Sequence, residues 1–344
     1  MAVKFTKPEI NVREKLAELD KPSGIAGEAM LRAETPRQQQ ELIGAGRKNL
    51  ILNGDFRVSQ RGDYTSATAT THDQLYLDRW AVRLTNVTAD LQHILGTNAS
   101  PGYPYKDSNS LRLTATNSAT GVMRHLQRVE GFLSGRTLTV SAWVKSNSPN
   151  ARVFSYQHNG GTRDSSKPHS GNGEWEYLTL TTLNDANQSN QLYFDIALAT
   201  KTFTNIAITS GEYVEISEVQ MEIGKVATPF EYRSYGEELA LCQRYFEQLA
   251  TNGENDANRY NGIAWATNNL NVFIPFLVAK RSAPTVTISN NGEVFTGSWQ
   301  SADGSAATGT GLKGCTVSIQ KASAYTVKYG YFIRNQTITA SAEL

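Results

Sequence analysis

From Asn49 onward apolar residues recur at every second position in one segment after another. Turn residues interrupt them at roughly ten-residue intervals, the spacing of short antiparallel strands. Strict alternation sends successive side chains to opposite faces of an extended chain, so each segment reads as a half-buried strand. Leu138, Val140, Ala142 and Val144 alternate with Thr137, Thr139, Ser141 and Trp143, and Leu192, Phe194, Ile196 and Leu198 alternate with Tyr193, Asp195 and Ala197. Further strands are expected at 80–84, 111–116, 123–128, 152–157, 175–181, 205–208 and 213–222. About nine strands with no helix between them make an antiparallel two-sheet β-sandwich. Within 213–223, Val214 and Ile216 share one parity while Val219, Met221 and Ile223 share the other. That switch calls for a β-bulge near Glu218.

The flanks of this sandwich follow other rules. Residues 1–47 carry two short helical signals: Asn11 with Glu14 as a capping box ahead of Val12, Leu16 and Leu19, and Thr35-Pro36 ahead of Leu42-Ile43 with Gly44 as the stop. Helices this short are marginal alone, so the segment reads as an arm that needs a partner surface, with Val12, Leu16 and Leu19 as its contact stripe. Ser234 and Glu237 form another capping box, and Leu239, Cys242, Phe246 and Leu249 follow at helical spacing, so a closing helix through 249 is expected. The domains are therefore drawn at 1–47, 48–250 and 251–344, the last a smaller β-domain with strands at 263–265, 272–278, 285–289, 294–299, 316–320, 326–333 and 337–342. Its small, Gly-rich stretch 303–314 reads as an exposed loop.

Composition narrows the function. A net charge of +1 gives no field to steer the chain to nucleic acid or an anionic membrane. No segment approaches the roughly 20 apolar residues that span a bilayer, and the amino terminus lacks the apolar core of a secretory leader. Cys242 and Cys315 stand alone, without the spacing of a zinc site or a disulfide framework. His72, His93, His125, His158 and His169 show no metalloprotease spacing, and no nucleophile elbow or phosphate loop occurs. Asp164, Asp185 and Asp195 are the acids a glycosidase pair would draw on, but they are read as solvated loop acids. No catalytic residue is assigned.

Several segments resemble a β-sandwich family of tailed-bacteriophage fibre and spike proteins: NLILNGDF at 49–56, VSQRG at 58–62, LDRW at 77–80, SLRLT at 110–114, LQRVEGFLSGRTLTVSAWVKS at 126–146, GEWEYLTL at 173–180, and VQMEIGKVATPFEYRSYGEELALCQRYFE at 219–247. The resemblance implies a jelly roll similar to carbohydrate-binding modules, in agreement with the strand count. More loosely, 272–289 looks like the carboxy-terminal β-domain that follows in such fibres. It further implies a homotrimeric virion protein, a tail fibre or spike subunit assembled in the host cytoplasm. Its arm would join other virion proteins, and its body would bind host glycans without cleaving them. A purely structural head, neck or collar fibre and a tailspike-type polysaccharide depolymerase are the alternatives.

A sugar-binding jelly roll offers aromatic faces beside hydrogen-bonding groups. Trp143 shares its parity with Thr139 and Ser141, opposite the aliphatic face, and stands either on a binding surface or beneath a loop or neighbouring subunit. Tyr156, His158 and Tyr193 are candidates to join it, and Tyr103 and Tyr105 in a Pro-rich bend form a second possible edge. Trp80 and Trp175 are expected as core anchors. No cofactor is expected beyond a structural calcium that the resemblance implies, with Asp55 and Glu218 as its nearest carboxylates.

Overall fold

The computed structural model describes residues 48–96, 109–130, 135–157, 164–183, 191–250, 260–289, 291–322, 324–334 and 336–343. The arm, with Val12, Leu16 and Leu19, lies outside them, as do Tyr103, Tyr105, His158 and Asp185.

The first thirteen strands make the expected sandwich. In chain order they are β1 (Thr68–Ala69), β2 (Gln74–Leu77), β3 (Trp80–Thr85), β4 (Ala89–Ile94), β5 (Ser110–Ala115), β6 (Ala119–Glu130) and β7 (Thr137–Ser146). There follow β8 (Ala151–Gln157), β9 (Asp164–Ser165), β10 (Trp175–Leu183), β11 (Gln191–Leu198), β12 (Ile206–Ile208) and β13 (Tyr213–Ile223). One sheet runs β1-β4-β5-β13-β7-β10, and the other runs β2-β3-β6-β11-β8-β9 with β12 also on β6. Every described pairing in both sheets is antiparallel. The alternation drives this architecture: Leu138, Val140, Ala142 and Val144 of β7 and Phe194, Ile196 and Leu198 of β11 are wholly buried in a shared core.

Trp80 is the core's largest anchor. It packs against Phe56 and Phe194 at centroid distances of 5.1 and 6.4 Å, and its indole donates to the Asn53 carbonyl at 2.9 Å. Trp175, expected as a second anchor, stays half-buried, because it lies opposite Lys145 on the outward parity of β10. The NGDF turn locks onto β13, where Val219 N donates to the Gly54 carbonyl at 2.9 Å. A Cβ at Gly54 would lie 2.2 Å from the Val219 carbonyl oxygen, so only glycine allows this approach. The bulge expected near Glu218 is present: pairing with β7 shifts between Ser217 and Gln220, and Glu218 takes a left-handed φ of 49°.

Beyond the sandwich several expectations are corrected: the strand expected at 294–299 is a hairpin of Glu293–Phe295 and Trp299–Ser301, and the one expected at 326–333 is confined to Gly330–Arg334. The closing helix α1 covers only Tyr235–Gln243, capped by Ser234 as foreseen, and Phe246 and Leu249 belong to a strand, β14 (Phe246–Ala250). The cause is non-local. β14 pairs along its length with the carboxy-terminal strand, starting at Phe246 with Ser341, and this ladder outweighs the helical spacing of four side chains. Likewise the stretch read as a loop at 303–314 contains strand Gly304–Gly311, which pairs back onto Gly314–Gln320.

The remaining strands are β15 (Tyr260–Ala266), β16 (Asn269–Pro275), β17 (Thr285–Ile288), β18 (Glu293–Phe295), β19 (Trp299–Ser301), β20 (Gly304–Gly311), β21 (Gly314–Gln320), β22 (Gly330–Arg334) and β23 (Thr337–Ser341). They form a three-stranded sheet, β14-β23-β17, and a seven-stranded one, β19-β18-β22-β15-β16-β21-β20, around a second apolar core. A polar seam joins the two cores. Glu343 pairs with Arg61 at 2.7 Å and with Arg79, while Gln60 Nε2 donates to the Phe246 carbonyl at 3.0 Å.

Candidate functional site

Each sheet of the sandwich has an outward face, and the aromatic candidates divide between them. On the first sheet, Trp143 of β7 faces Tyr177 of β10 in register, with ring centroids 5.2 Å apart at 50°. Tyr177 is exposed and Trp143 half-buried. The Glu218 bulge lies beside this pair, since Ser217 is Trp143's partner on β13. Burial raises the Tyr177 phenol above its ordinary range, against a hydrogen bond with Ser141.

Tyr156 and Tyr193 belong to the other sheet. They are direct cross-strand partners on β8 and β11, and Tyr193 is also the partner of Arg128 on β6. The register therefore places Arg128, Tyr193 and Tyr156 in one row across three strands, each step about 4.8 Å. The structure thus unites two of the aromatic candidates and puts Trp143 on the opposite sheet. Arg128 was not singled out in the sequence. Its signal was its position on the solvent parity of an apolar strand, between the buried Gln127 and Val129.

The next row on this face is apolar at its centre: Leu75, Ala81, Leu126, Asp195 and Phe154 are successive partners. Phe203 packs edge-on against Phe154 at 4.8 Å and covers that end. At the other end a hollow opens, lined by Asp73, Leu75, Arg79, Ala81, Leu126 and Arg128. Charges around it are already matched. Asp73 binds Arg83 through two contacts of 2.6 and 3.1 Å and lies 3.8 Å from Arg128, and the Arg83 hydrogen bonds hold its carboxyl below the usual range. Asp195, expected as a solvated loop acid, is instead wholly buried on β11 and pairs with Arg124 at 3.0 Å. Asp164 accepts from Thr182. The described side chains of this face thus set the Arg128 guanidinium beside a hollow with a largely buried apolar floor, and the register puts tyrosine positions 193 and 156 in Arg128's row, residue types that can supply donors to sugar hydroxyls and rings to pyranose faces.

The implied calcium corner can be tested against its own residues. The fold does bring Asp55 and Glu218 to one corner, through Gly54 and Val219, and Asn109 N donates to the Asp55 carbonyl at 3.2 Å. Their carboxylates are engaged, however. Asp55 Oδ2 pairs with Arg57, whose guanidinium also reaches the Arg233 carbonyl at 2.5 Å, and Tyr232 donates to Glu218 Oε1 at 2.7 Å. Burial raises the Asp55 carboxyl, while Arg57 pulls it back. Among the described side chains of this corner, Asp55 Oδ1 is the oxygen buried without a hydrogen-bond partner, and it sits beside a guanidinium that opposes a cation. Among the described residues no cluster of three or more histidine, cysteine or acidic side chains could hold a metal. Among the described residues the side chains of this corner fit an internal ion pair better than a calcium cage. Accordingly, adding 1 mM of a calcium chelator, roughly a stoichiometric excess over any such site, is expected to leave the thermal midpoint within about 1 °C of its value in calcium. A drop of several degrees in differential scanning fluorimetry would restore the metal reading.

No protein-family model and no curated protein sequence matches the chain. Among solved structures it is similar to the enzymatically active domain of bacteriophage CBA120 tailspike protein 4, at 13% identity and a TM-score of 0.33, covering 51% of this chain and 21% of that one. It is also similar to the family 11 carbohydrate-binding module of a Clostridium thermocellum cellulosomal cellulase, at 16% identity and a TM-score of 0.27 over 48% of this chain and 98% of that one. A third likeness is to TmCBM61 in complex with β-1,4-galactotriose, at 13% identity and a TM-score of 0.30 over 52% of this chain and 99% of that one.

Proposed function

We propose that this chain is a virion attachment subunit, a phage tail fibre or spike protein acting as a homotrimer, whose sandwich binds host-surface glycans without cleaving them. The virion reading is supported by the sequence resemblance across 49–247. The glycan reading is carried by one observation, the cross-strand row Arg128–Tyr193–Tyr156 beside the hollow at Leu75 and Leu126. Binding without cleavage agrees with the state of the acids. A glycosidase needs two convergent carboxyl groups, one of raised pKa, flanking an open cleft. Among the described residues the carboxyls that burial raises, Asp55, Asp78 and Glu238, are instead held inside hydrogen-bond networks with Arg57, Gln60 and Arg233. Weak individual contacts would suffice for adhesion, because several copies on one particle multiply them.

Glycan-array screening of the full chain, followed by titration of the best ligand, tests this reading. Arg128→Ala and Tyr193→Ala are each expected to weaken binding about tenfold, the loss of roughly 1.4 kcal/mol. Trp143→Ala, on the other sheet, is expected to leave affinity unchanged. Binding that survives both changes on β6 and β11 but fails with Trp143→Ala would move the site to the first sheet. Complete absence of binding would favour a purely building role. Release of reducing ends from host polysaccharide would make the protein an enzyme.

A further inference from the structure

The outward face of the seven-stranded sheet inverts the usual distribution of large and small side chains. On β15 the small residues Gly262 and Ala264 point into the core, while Ile263 and Trp265 are 64% and 61% exposed. On β16 Leu270, Val272 and Ile274 are buried, and Phe273 stands on the outward parity at 62% exposure. Phe332 of β22 and Phe295 of β18 are 44% and 39% exposed.

Register gathers these residues. Phe295 pairs with Trp299, and Phe332 pairs with Asn261. Because Val294 pairs with Ile333 and Gly262 with Val272, the same antiparallel steps bring Phe295 opposite Phe332 and Asn261 opposite Phe273. One band therefore crosses five neighbouring strands of the sheet, with Ile263 and Trp265 along its flank. The band lies close to the backbone: a Cβ on Gly314 would come within 2.6 Å of the Phe273 ring, so that ring rests on β21 across a glycine.

We propose that this face is an interface between copies of the chain. The claim rests on the self-association in the reading above and is independent of its glycan part. Two properties select a second copy as the occupant. The first is area. Five large apolar side chains about half exposed offer on the order of 100 Å² each, so roughly 500 Å², near the upper limit for a monomer's largest patch and a good part of the ~800 Å² per partner in a stable interface. The second is charge. The charged neighbours on this face, Glu293 and Arg334, pair with each other at 2.6 Å, and Arg334 stacks over Trp299 at 4.1 Å. In the proposed trimer a net charge on a face turned toward other copies would be repeated by every copy around the axis and repel, and the Glu293–Arg334 pair leaves this band internally neutralised. A sugar is the poorer occupant, since Ile263 offers no planar ring and within the band the exposed hydrogen-bonding side chain is Asn261, with Asn271 beside Ile263.

The test combines sedimentation of the full chain over a concentration series with hydroxyl-radical footprinting read by mass spectrometry at Trp265 and Phe332. The expected result is an oligomer in which both residues are labelled at least fivefold more slowly than in the Ile263→Glu variant, with protection fading on dilution. Ile263→Ala, a change at an exposed position, should give an intermediate rate and serves if the glutamate variant misfolds by circular dichroism. A wild-type chain that stays monomeric overturns both this interface and the self-associating reading. An oligomer with Trp265 and Phe332 labelled at the fully exposed rate overturns this interface alone, as does concentration-independent protection in a monomer.

Discussion

Truncating Glu247 to alanine is expected to destabilise the fold by about 3–5 kcal/mol, the cost of leaving one charge of a buried pair without its partner. Glu247 and Lys280 pair with both side chains at zero exposure. The Lys280 ammonium also donates to the Gln243 carbonyl at 2.7 Å and the Val278 carbonyl at 3.0 Å, and Glu247 Oε1 accepts from Leu277 N at 3.0 Å. The pair thus ties β14 and the end of α1 to the chain after β16. Without the carboxylate, two carbonyl dipoles remain to stabilise a full positive charge that has left water. Burial already lowers the Lys280 pKa from its ordinary 10.5, with Glu247 opposing that shift. In the variant the opposition is gone and the folded-state pKa falls further. Between that value and 10.5 the unfolded chain binds more protons than the folded one, so the variant's stability should rise with pH across this window. Urea unfolding at pH 7 and pH 10 should therefore show a smaller deficit at the higher pH. Adding Lys280→Met to Glu247→Ala should recover part of the loss, because the uncompensated charge is then absent. A single-variant cost under about 1 kcal/mol would show that the pair is solvated in solution.

Such buried pairs were out of reach of the sequence, and the reason is general to this chain. Alternation within one strand is local. It exposes the inward parity of β7 and β11, and its switch between Ile216 and Val219 marks the bulge at Glu218. Sheet membership is not local. Trp143, Tyr156 and Tyr193 look alike as outward aromatics on alternating strands, yet the strand order sends Trp143 to one sheet and the two tyrosines to the other. The same limit explains the corrected elements. Leu239, Cys242, Phe246 and Leu249 keep helical spacing, while the ladder that makes Phe246–Ala250 a strand comes from Thr337–Ser341 at the far end of the chain. Gly304–Gly311 has hardly any large side chain to alternate, and its strand is imposed by its neighbour Gly314–Gln320. On β15, alternation was visible but its sign was not: a rule that sends large apolar residues inward would bury Ile263 and Trp265, whereas the close contact of Gly262 with Asn271 and Val272 leaves room for no Cβ on the inward side. Where local pattern and packing disagree in this way, a functional surface is the first place to look.

Between pH 7 and pH 4 the protein is expected to lose about 3 kcal/mol of stability through His125 alone, since a folded-state pKa of about 4 lies well below the ordinary 6.5 and each unit is worth about 1.4 kcal/mol. The imidazole sits inside the sandwich on β6 with no exposure, its Nε2 3.3 Å from the Val214 carbonyl and its Nδ1 buried without a partner. Burial is the dominant cause of the shift, and the Val214 carbonyl opposes it. A base whose pKa is depressed by folding stays neutral in the folded state while the unfolded chain takes up a proton. The contribution is therefore complete above pH 6.5 and drains away as pH falls toward about 4. Other groups titrate nearby. Hydrogen bonding to Arg244 keeps Glu130 low, at about 2, against an ordinary 4.5, so its contribution begins to drain only at the acid edge of this window, and the raised carboxyls of Asp55, Asp78 and Glu238 push stability in the opposite direction. Those terms are common to the wild-type chain and to His125→Gln, so they cancel in the difference between the two. The glutamine variant should be less stable at pH 7, where an imidazole of the right shape is lost from a packed core. Its deficit should then shrink by up to about 1.4 kcal/mol per pH unit as the wild-type histidine begins to bind protons. Urea unfolding free energies at pH 7, 6, 5 and 4.5 give that difference directly. Two curves that run parallel across this range would mean that His125 takes its proton inside the folded protein at an ordinary pKa, and would place water or an acidic partner next to Nδ1.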